Sequence, residues 1–346
     1  MKTNLIYILG MMCLSGTVSA QTTVNYTEFE QKVLDYSQTL KQSVSQRTAM
    51  QKAMKAAKTA FFPAVDATGS YQYRINKYDM DFGGMAVPME HDSYSAEVGV
   101  VQPIYAGGSI YHTYKASQIQ SQIADKSVDL TTDNLIYAAE ASYWGTAAQK
   151  EMYKTMCQYV EIISQLTKVL QDKYDDGYIS KTDLIQMQTR LKEAELQRSS
   201  SYQSYQIALQ NMNVLMGLEP DKEVGLVDSI FVELPLPAYV GADAALNVRP
   251  DYAISQLDVD YQKRQVKLAA AKYNPSLSIG FKETWGTQML NISGETMFNS
   301  NVYASVKLPL FHWGARFKST AAQKAILLGK QYALQDKQDQ ITKEVA

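Results

Sequence analysis

Four stretches of this chain alternate apolar and polar residues with the two-residue period of a β-strand. Val65, Ala67, Gly69, Tyr71, Tyr73 and Ile75 occupy one parity, and Asp66, Thr68, Ser70, Gln72, Arg74 and Asn76 the other. A strand here has one apolar and one polar face. After a loop rich in Gly and Met over 78–93, Ala96, Val98 and Val100 alternate with Glu97, Gly99 and the less regular Val101. The two segments predict an up-and-down hairpin ending at Pro103. A second pair follows the same rule. Leu277, Ile279 and Phe281 alternate with Ser278, Gly280 and Lys282, and Val302, Ala304, Val306 and Leu308 alternate with Tyr303, Ser305 and Lys307.

Between the pairs the period becomes helical. From about Ser109 to Tyr174 no proline intervenes and Gly145 is the one candidate breaker, so a continuous helix would run about 100 Å. Met152, Met156, Tyr159, Ile163, Leu166 and Leu170 step by four and three along it, the spacing of a coiled-coil seam. A second helix, about Ser180 to Met216, carries Leu184, Met187, Leu191 and Ala194 at that spacing. Asp175, Asp176 and Gly177 form the expected turn between them. Another helix is predicted to open at Arg249-Pro250-Asp251, since proline suits a first helical turn.

The pattern is written twice. Residues 56–74, AAKTAFFPAVDATGSYQYR, and 269–287, AAAKYNPSLSIGFKETWGT, both run from an Ala/Lys-rich helix through a proline (Pro63, Pro275) into an alternating strand. QPIYAGGSIY over 102–111 matches LPLFHWGARF over 308–317, with Pro103 over Pro309 and Gly108 over Gly314, a shift of 206 residues. These prolines and glycines mark the expected helix–strand junctions. The division is a first repeat over 21–217, a Pro-, Gly- and acid-rich linker over 218–240, and a second repeat over 241–346. At the same shift Ala346 falls on Glu140, whereas the first copy continues to Gly217. The expectation is a C-terminally incomplete chain, missing a second hairpin tip and its return helix.

Composition narrows the function classes. Residues 1–20 combine Lys2, an apolar core over 5–14 and the small residues Val18-Ser19-Ala20, the layout of a cleaved secretory signal peptide. Without Lys2 the 33 basic residues become 32 against 35 acidic ones, a formal charge of −3 that offers nothing to nucleic acid. No apolar run of about 18 residues follows residue 20. Only Cys157 remains beyond the leader, so no internal disulfide is expected. Three histidines (His91, His112, His312), no phosphate loop and no nucleophile elbow speak against catalysis, and no cofactor is expected. Met80, Met85, Met89 and His91 are chemically suited to a soft metal ion, although flexible methionine in a loop is more often incidental.

Two-faced strands beside helices of this length suit a membrane barrel continued by a helical tube better than a soluble sandwich. Arg or Lys on the lipid face near the midplane costs roughly 2–4 kcal/mol, and Asp66, Arg74, Glu97, Lys282 and Lys307 all fall on the polar, lumen-facing parity. Glu283 breaks the rule, so that strand is expected to leave the bilayer or bulge there. Four strands cannot close a barrel, because open edges in lipid leave backbone groups unpaired. The barrel must be shared between chains. The remaining readings are an adhesive or structural coiled-coil protein of the cell surface and a periplasmic chaperone, neither of which needs two matched amphipathic hairpins.

AAKTAFFPAVDATGSYQY, QPIYAGGSIYHTYKAS, KYDDGYISKTDLIQMQTRL, NVLMGLEP and NVRPDYAISQLDVDYQKRQVKLAAAKYNPSLSI resemble, in that order, the TolC-like outer-membrane efflux protein family. The resemblance implies an α+β membrane protein: a homotrimer in which each chain lends four strands to a twelve-stranded transmembrane barrel and antiparallel coiled-coil helices to a periplasmic tunnel. It implies a passive exit duct in the outer membrane, serving efflux or type I secretion. The implied partners are a periplasmic adaptor and an inner-membrane transporter. Gly177, Tyr178, Ile179, Ser180, Thr182 and Asp183 match the tip where the adaptor docks and the entrance is held closed. Asp183 also fits a capping box with Ser180, worth roughly 1 kcal/mol, and both roles can hold together.

Overall fold

The computed structural model describes residues 22–76, 79–88, 90–231, 241–287 and 295–346. The expected signal peptide lies outside them. The elements are β1 (Thr22–Val24), α1 (Tyr26–Tyr36), α2 (Gln38–Thr59), β2 (Ala64–Tyr73), β3 (Asp79–Phe82), β4 (Met85–Pro88), β5 (Asp92–Ala106) and α3 (Ser109–Asp175). They continue as α4 (Lys181–Leu215), β6 (Val224–Leu226), α5 (Ala242–Val248), α6 (Pro250–Ala271), β7 (Ser276–Thr287), β8 (Thr296–Lys307) and α7 (Ala315–Val345).

Contacts divide the chain into two compact units, residues up to 38 with 133–236, and 39–132 with 237–346. This division cuts across the sequence repeat, because α3 contributes to both units. Helix α3 is unbroken over 67 residues. Gly145 costs it about 1 kcal/mol relative to alanine, which one residue in a helix of this length easily tolerates.

In the first unit, β1 pairs in parallel with β6, inside the stretch that the sequence marks as a linker. Both strands have three residues, too short for a periodic signal. Val24, Phe29, Val33, Ala139, Tyr143, Leu209, Met212, Met216, Val224 and Leu226 form one buried cluster around them. The Tyr143 hydroxyl donates to the Asp228 carboxylate at 2.8 Å, which also accepts the Tyr26 N–H at 2.8 Å. Burial, followed by the Asp228 hydrogen bond, pushes the Tyr143 phenol well above its usual range.

The helical hairpin α3–α4 meets through a seam that matches the expected one on α3 only in part: Met156, Ile163 and Leu170 are half-buried as the spacing predicts. Leu184 and Ala194 are buried on α4 as the spacing predicts. On α3, however, Val160 is 8% exposed, while Met152, Tyr159 and Leu166 are 52%, 42% and 43% exposed. Tyr153 contacts Tyr202 across the pair, with ring centroids 5.1 Å apart. The helix carries apolar residues on more of its circumference than one neighbour covers, and periodicity alone does not say which stripe a partner takes.

In the second unit, β2, β5, β7 and β8 form one antiparallel sheet in that order. The hairpins are therefore joined by their inner strands, leaving β2 and β8 as edges. Ile75 and Asn76 lie beyond the end of β2. Strand β5 runs past the expected stop at Pro103 to Ala106, with the register shifting between Pro103 and Tyr105. A bulge absorbs the missing proline N–H there. The equivalent Pro309 lies beyond β8, where an edge strand has one partner fewer to hold it. The stretch read as a Gly- and Met-rich loop contains the small hairpin β3–β4.

Candidate functional site

Directly opposed residues of an antiparallel ladder share a face. The register therefore sorts the sheet into two surfaces. One carries Val65, Ala67, Tyr71 and Tyr73 of β2, Ala96, Val98 and Val100 of β5, Leu277, Ile279, Phe281 and Trp285 of β7, and Phe298, Val302, Ala304 and Val306 of β8. The other carries Asp66, Thr68, Ser70 and Gln72, then Glu97, then Lys282 and Thr284, and Asn299, Asn301 and Lys307. Glu97 and Lys282 form an ion pair on this polar face. Arg74 follows the end of β2, where its N–H donates to the His91 carbonyl.

The apolar face is bare. Val65, Tyr71, Phe298 and Val306 are all more than half exposed, and Val302 reaches 84%. Among the described residues nothing covers these side chains.

Glu283 lies in the middle of the apolar face, between Val98 and Ser300, and β7 continues through it to Thr287 without a bulge. The expected bulge at this residue is therefore absent. The Ser300 hydroxyl donates to its carboxylate, so the sheet accommodates the acid with a cross-strand partner, and the register irregularity sits at Pro103 instead.

The junctions repeat in detail. Phe61 and Phe62 N–H groups donate to Lys58 and Thr59 carbonyls, and Tyr273 and Asn274 do the same to Ala270 and Ala271, so Pro63 and Pro275 each follow the same turn. Gly107 and Gly108 have φ of 64° and 89°, and their counterparts Trp313 and Gly314 have 48° and 73°. Trp313 is the one non-glycine with positive φ among the described residues.

The helical tip in the first unit is built by two local motifs. Gly177, at φ 83°, ends α3. Its N–H donates to the Tyr174 carbonyl at 2.9 Å, and that of Tyr178 to Lys173 at 2.8 Å, the Schellman pattern. Ser180 then caps α4: its hydroxyl accepts the Asp183 N–H at 3.3 Å, and the Asp183 carboxylate accepts the Ser180 N–H at 3.2 Å. The capping role of Asp183 is thus present. Ile179 is half-buried, Thr182 is exposed, and Tyr178 projects with 80% of its surface exposed.

Of the possible soft-metal residues, Met89 and the side chains of Met80 and Met85 lie outside the described residues. His91 stacks on Tyr73 and bonds through Nδ1 to the Arg74 carbonyl at 2.8 Å.

Two features escape the sequence reading. One is the Tyr143–Asp228 network above. The other is a charged clamp at Arg249-Pro250-Asp251, which does open α6 as expected, with proline in its first turn. Arg249 grips Asp251 through Nε and Nη2 at 3.1 and 2.9 Å and also pairs with Glu344 near the end of α7. Lys337 lies 3.7 Å from Asp251. Burial raises the Asp251 carboxyl, but Arg249, the Tyr252 N–H and Lys337 more than offset it, and the net shift is downward. A depressed carboxyl stabilises the fold above its unfolded value near pH 4 and loses that contribution as pH falls through its folded value. Asp251→Asn should therefore lower thermal stability by on the order of 1 kcal/mol at neutral pH. The difference from the parent should shrink below about pH 4. A gap that persists unchanged at pH 2 would assign the effect to packing instead.

Among the described residues no helix is long and apolar enough to cross a membrane, which says nothing of a β-barrel.

Comparison with known proteins places these features. Alkaline protease secretion protein AprF of Pseudomonas aeruginosa is 22% identical over 256 residues, 72% of this chain and 52% of AprF. The chain thus spans about half the length of that relative. The fold is similar to that of CusC, described for its folding and transmembrane channel formation, with a TM-score of 0.78 at 12% identity over 94% of this chain and 74% of CusC. It is also similar to the outer membrane protein VceC of Vibrio cholerae, with a TM-score of 0.75 at 14% identity over 91% of this chain and 75% of VceC. The sequence matches the family described as outer membrane efflux protein over residues 30–218 and 241–346. This two-faced sheet with its helical hairpin and doubled junctions therefore belongs to a TolC-like chain of the outer membrane efflux protein family.

Proposed function

We propose that this chain is the wall of an outer-membrane exit duct that passively conducts cargo delivered by an inner-membrane transporter through a periplasmic adaptor. The observation that carries the reading is the bare apolar face that spans all four strands opposite a polar one. Water on both sides would leave that apolar surface uncompensated, whereas lipid on one side and water on the other matches it. The edges at β2 and β8 call for self-association, and three copies would supply a closed barrel of twelve strands. In this reading residues 21–217 and 241–346 are two repeats of one wall element joined by 218–240, with residues 1–20 directing export. The hairpin α3–α4 contributes to a periplasmic tunnel, and Asp66, Arg74, Glu97, Lys282 and Lys307 face the lumen. No catalysis, cofactor or nucleic-acid contact is proposed.

Spin labels on neighbouring residues of β2 test the face assignment. A label at Ala67 should report a lipid environment and one at Thr68 water, in protein reconstituted into vesicles. Equal water exposure at both positions would sink the barrel reading.

The tip residues Tyr178 and Asp183 are proposed to help close the entrance. Tyr178 is free to reach a neighbouring helix, while Asp183 holds the turn through its capping box. Asp183→Ala should raise single-channel conductance in planar bilayers beyond what a loss of roughly 1 kcal/mol in capping explains. Unchanged conductance with a slightly less stable helix would leave Asp183 the capping role alone.

A further inference from the structure

Within the second unit, the first part of α3 and α6 enclose a groove that the exit-duct reading does not use. Its volume is about 490 Å³, and it is lined by Lys115, Gln118, Ile119 and Gln122 of α3 and by Asp260, Lys263, Arg264 and Lys267 of α6. The spacing of 115, 118, 119 and 122, and of 260, 263, 264 and 267, puts each set on one helix face. Four cations thus converge around one carboxylate. Asp260 is already bonded by Lys263 at 2.8 Å. Among the described residues Arg264 and Lys267 make no ion pair, and Lys115 reaches only the amide oxygen of Gln118, at 3.0 Å. Like charges held together without counterions are mutually destabilising, and an anion would relieve them.

The groove also has a defined height. Lys115 follows the end of β5 at Ala106 by nine residues, and Lys267 precedes the start of β7 at Ser276 by nine. Lys115 lies about 9 Å along α3 from Ser109. If the sheet spans the hydrocarbon core, Lys115 lies just beyond the roughly 5–8 Å that headgroups add on that side, and its long side chain, tilted toward the N-terminus of α3, reaches back into the headgroup layer. Ile119 gives the groove an apolar side chain among its polar ones. Burial, and after it the positive charges of Arg264 and Lys267, lower the pKa of nearby His112.

We propose that the α3–α6 groove binds a phosphate-bearing anionic group, and that its source is the headgroup of an anionic phospholipid. The arginine supplies a planar fork suited to phosphate oxygens and the lysines supply point charges around it. The lipid source rests on the proposed membrane placement of the sheet, whereas the anion chemistry does not.

The test is calorimetric titration of the purified protein in a neutral detergent with three probes: dihexanoyl phosphatidylglycerol, dihexanoyl phosphatidylcholine and inorganic phosphate. Phosphatidylglycerol should bind most tightly, and Arg264→Gln combined with Lys267→Gln should weaken it by roughly thirtyfold. A second variant, Lys115→Gln with Lys267→Gln, should show a similar loss and guards against a folding defect, with circular dichroism and the unfolding midpoint compared in each. Inorganic phosphate binding as tightly as phosphatidylglycerol would overturn the lipid assignment. Equal affinity of parent and both variants for every probe would overturn the site. Because the titration needs no bilayer, its failure is separable from failure of the barrel reading, which the spin labels on β2 measure. A protein that lacks the lipid contact at Ala67 but still binds phosphatidylglycerol through these residues supports the groove alone.

Discussion

Val302→Arg should abolish recovery of the protein as a membrane-inserted oligomer, while Asn301→Arg on the adjacent residue should leave it intact. Both residues lie in the middle of β8, and the register puts Val302 beside Phe281 on the apolar face and Asn301 beside Lys282 on the polar one. A guanidinium on the lipid side near the midplane costs about 2–4 kcal/mol per copy, and three copies would multiply that cost within one barrel. On the polar face the same side chain meets water, and facing Lys282, which Glu97 already pairs, costs it only about 0.2–1 kcal/mol. Outer-membrane fractionation and heat-modifiable gel migration read the difference. Equal recovery of the two variants would mean that the faces are not distinguished by lipid, and the channel reading would fall with them.

Cysteines at Phe62 and Trp313, in a Cys157→Ser background, should be joined between copies by a short bismaleimide, giving a ladder that stops at three. The chain contains its own template for this contact. Inside one copy, the junction after β5 is covered by the end of α6: the Asn274 amide donates to the Gly107 carbonyl at 2.9 Å, and a Cβ on Gly107 would lie 2.7 Å from the Ala271 carbonyl oxygen. The junction after β8 has Trp313 in place of Gly107, and no described residue covers it, since it is 85% exposed. The element equivalent to the end of α6 is the end of α2, where Phe62 stands in place of Asn274 and is also exposed. A neighbouring copy that docks as α6 and β7 dock within the chain would set Phe62 against Trp313. Holding tryptophan at φ 48° costs on the order of 1 kcal/mol or more, and an aromatic contact across the seam returns about 0.5–1.5 kcal/mol beyond the area it buries. Trp313→Ala should weaken the oligomer in detergent without altering the fold of the single chain. If no cross-link forms while the oligomer persists, the copies meet in some other way and the internal junction is not the template.

Much of this was legible from local pattern, and the reasons are physical. Strand alternation at 65–73 and 302–306 survives because a strand projects successive side chains to opposite sides whatever surrounds it. The tip at Gly177 and Ser180 is readable because a Schellman turn and a capping box close their hydrogen bonds within a few residues of sequence. Proline at position 250 opens α6 for the same local reason. The doubled junctions are readable because one backbone path, with its left-handed positions at 107–108 and 313–314, needs nearly the same residues twice. Tertiary structure decided what depends on distant partners. Three-residue strands β1 and β6 exist only because each supplies the other's hydrogen bonds across some two hundred residues. Glu283 stays within a straight strand because Ser300, on another strand, satisfies it. The stripe of α3 that meets α4 was chosen by packing among several apolar stripes, all of similar period. The clamp of Arg249 on Glu344 and the convergence of Lys115 with Arg264 and Lys267 join residues that no local spacing relates. Sequence determines an interaction when both partners lie within a turn or a strand pair of one another; where they do not, only the folded chain brings the charges and apolar faces together.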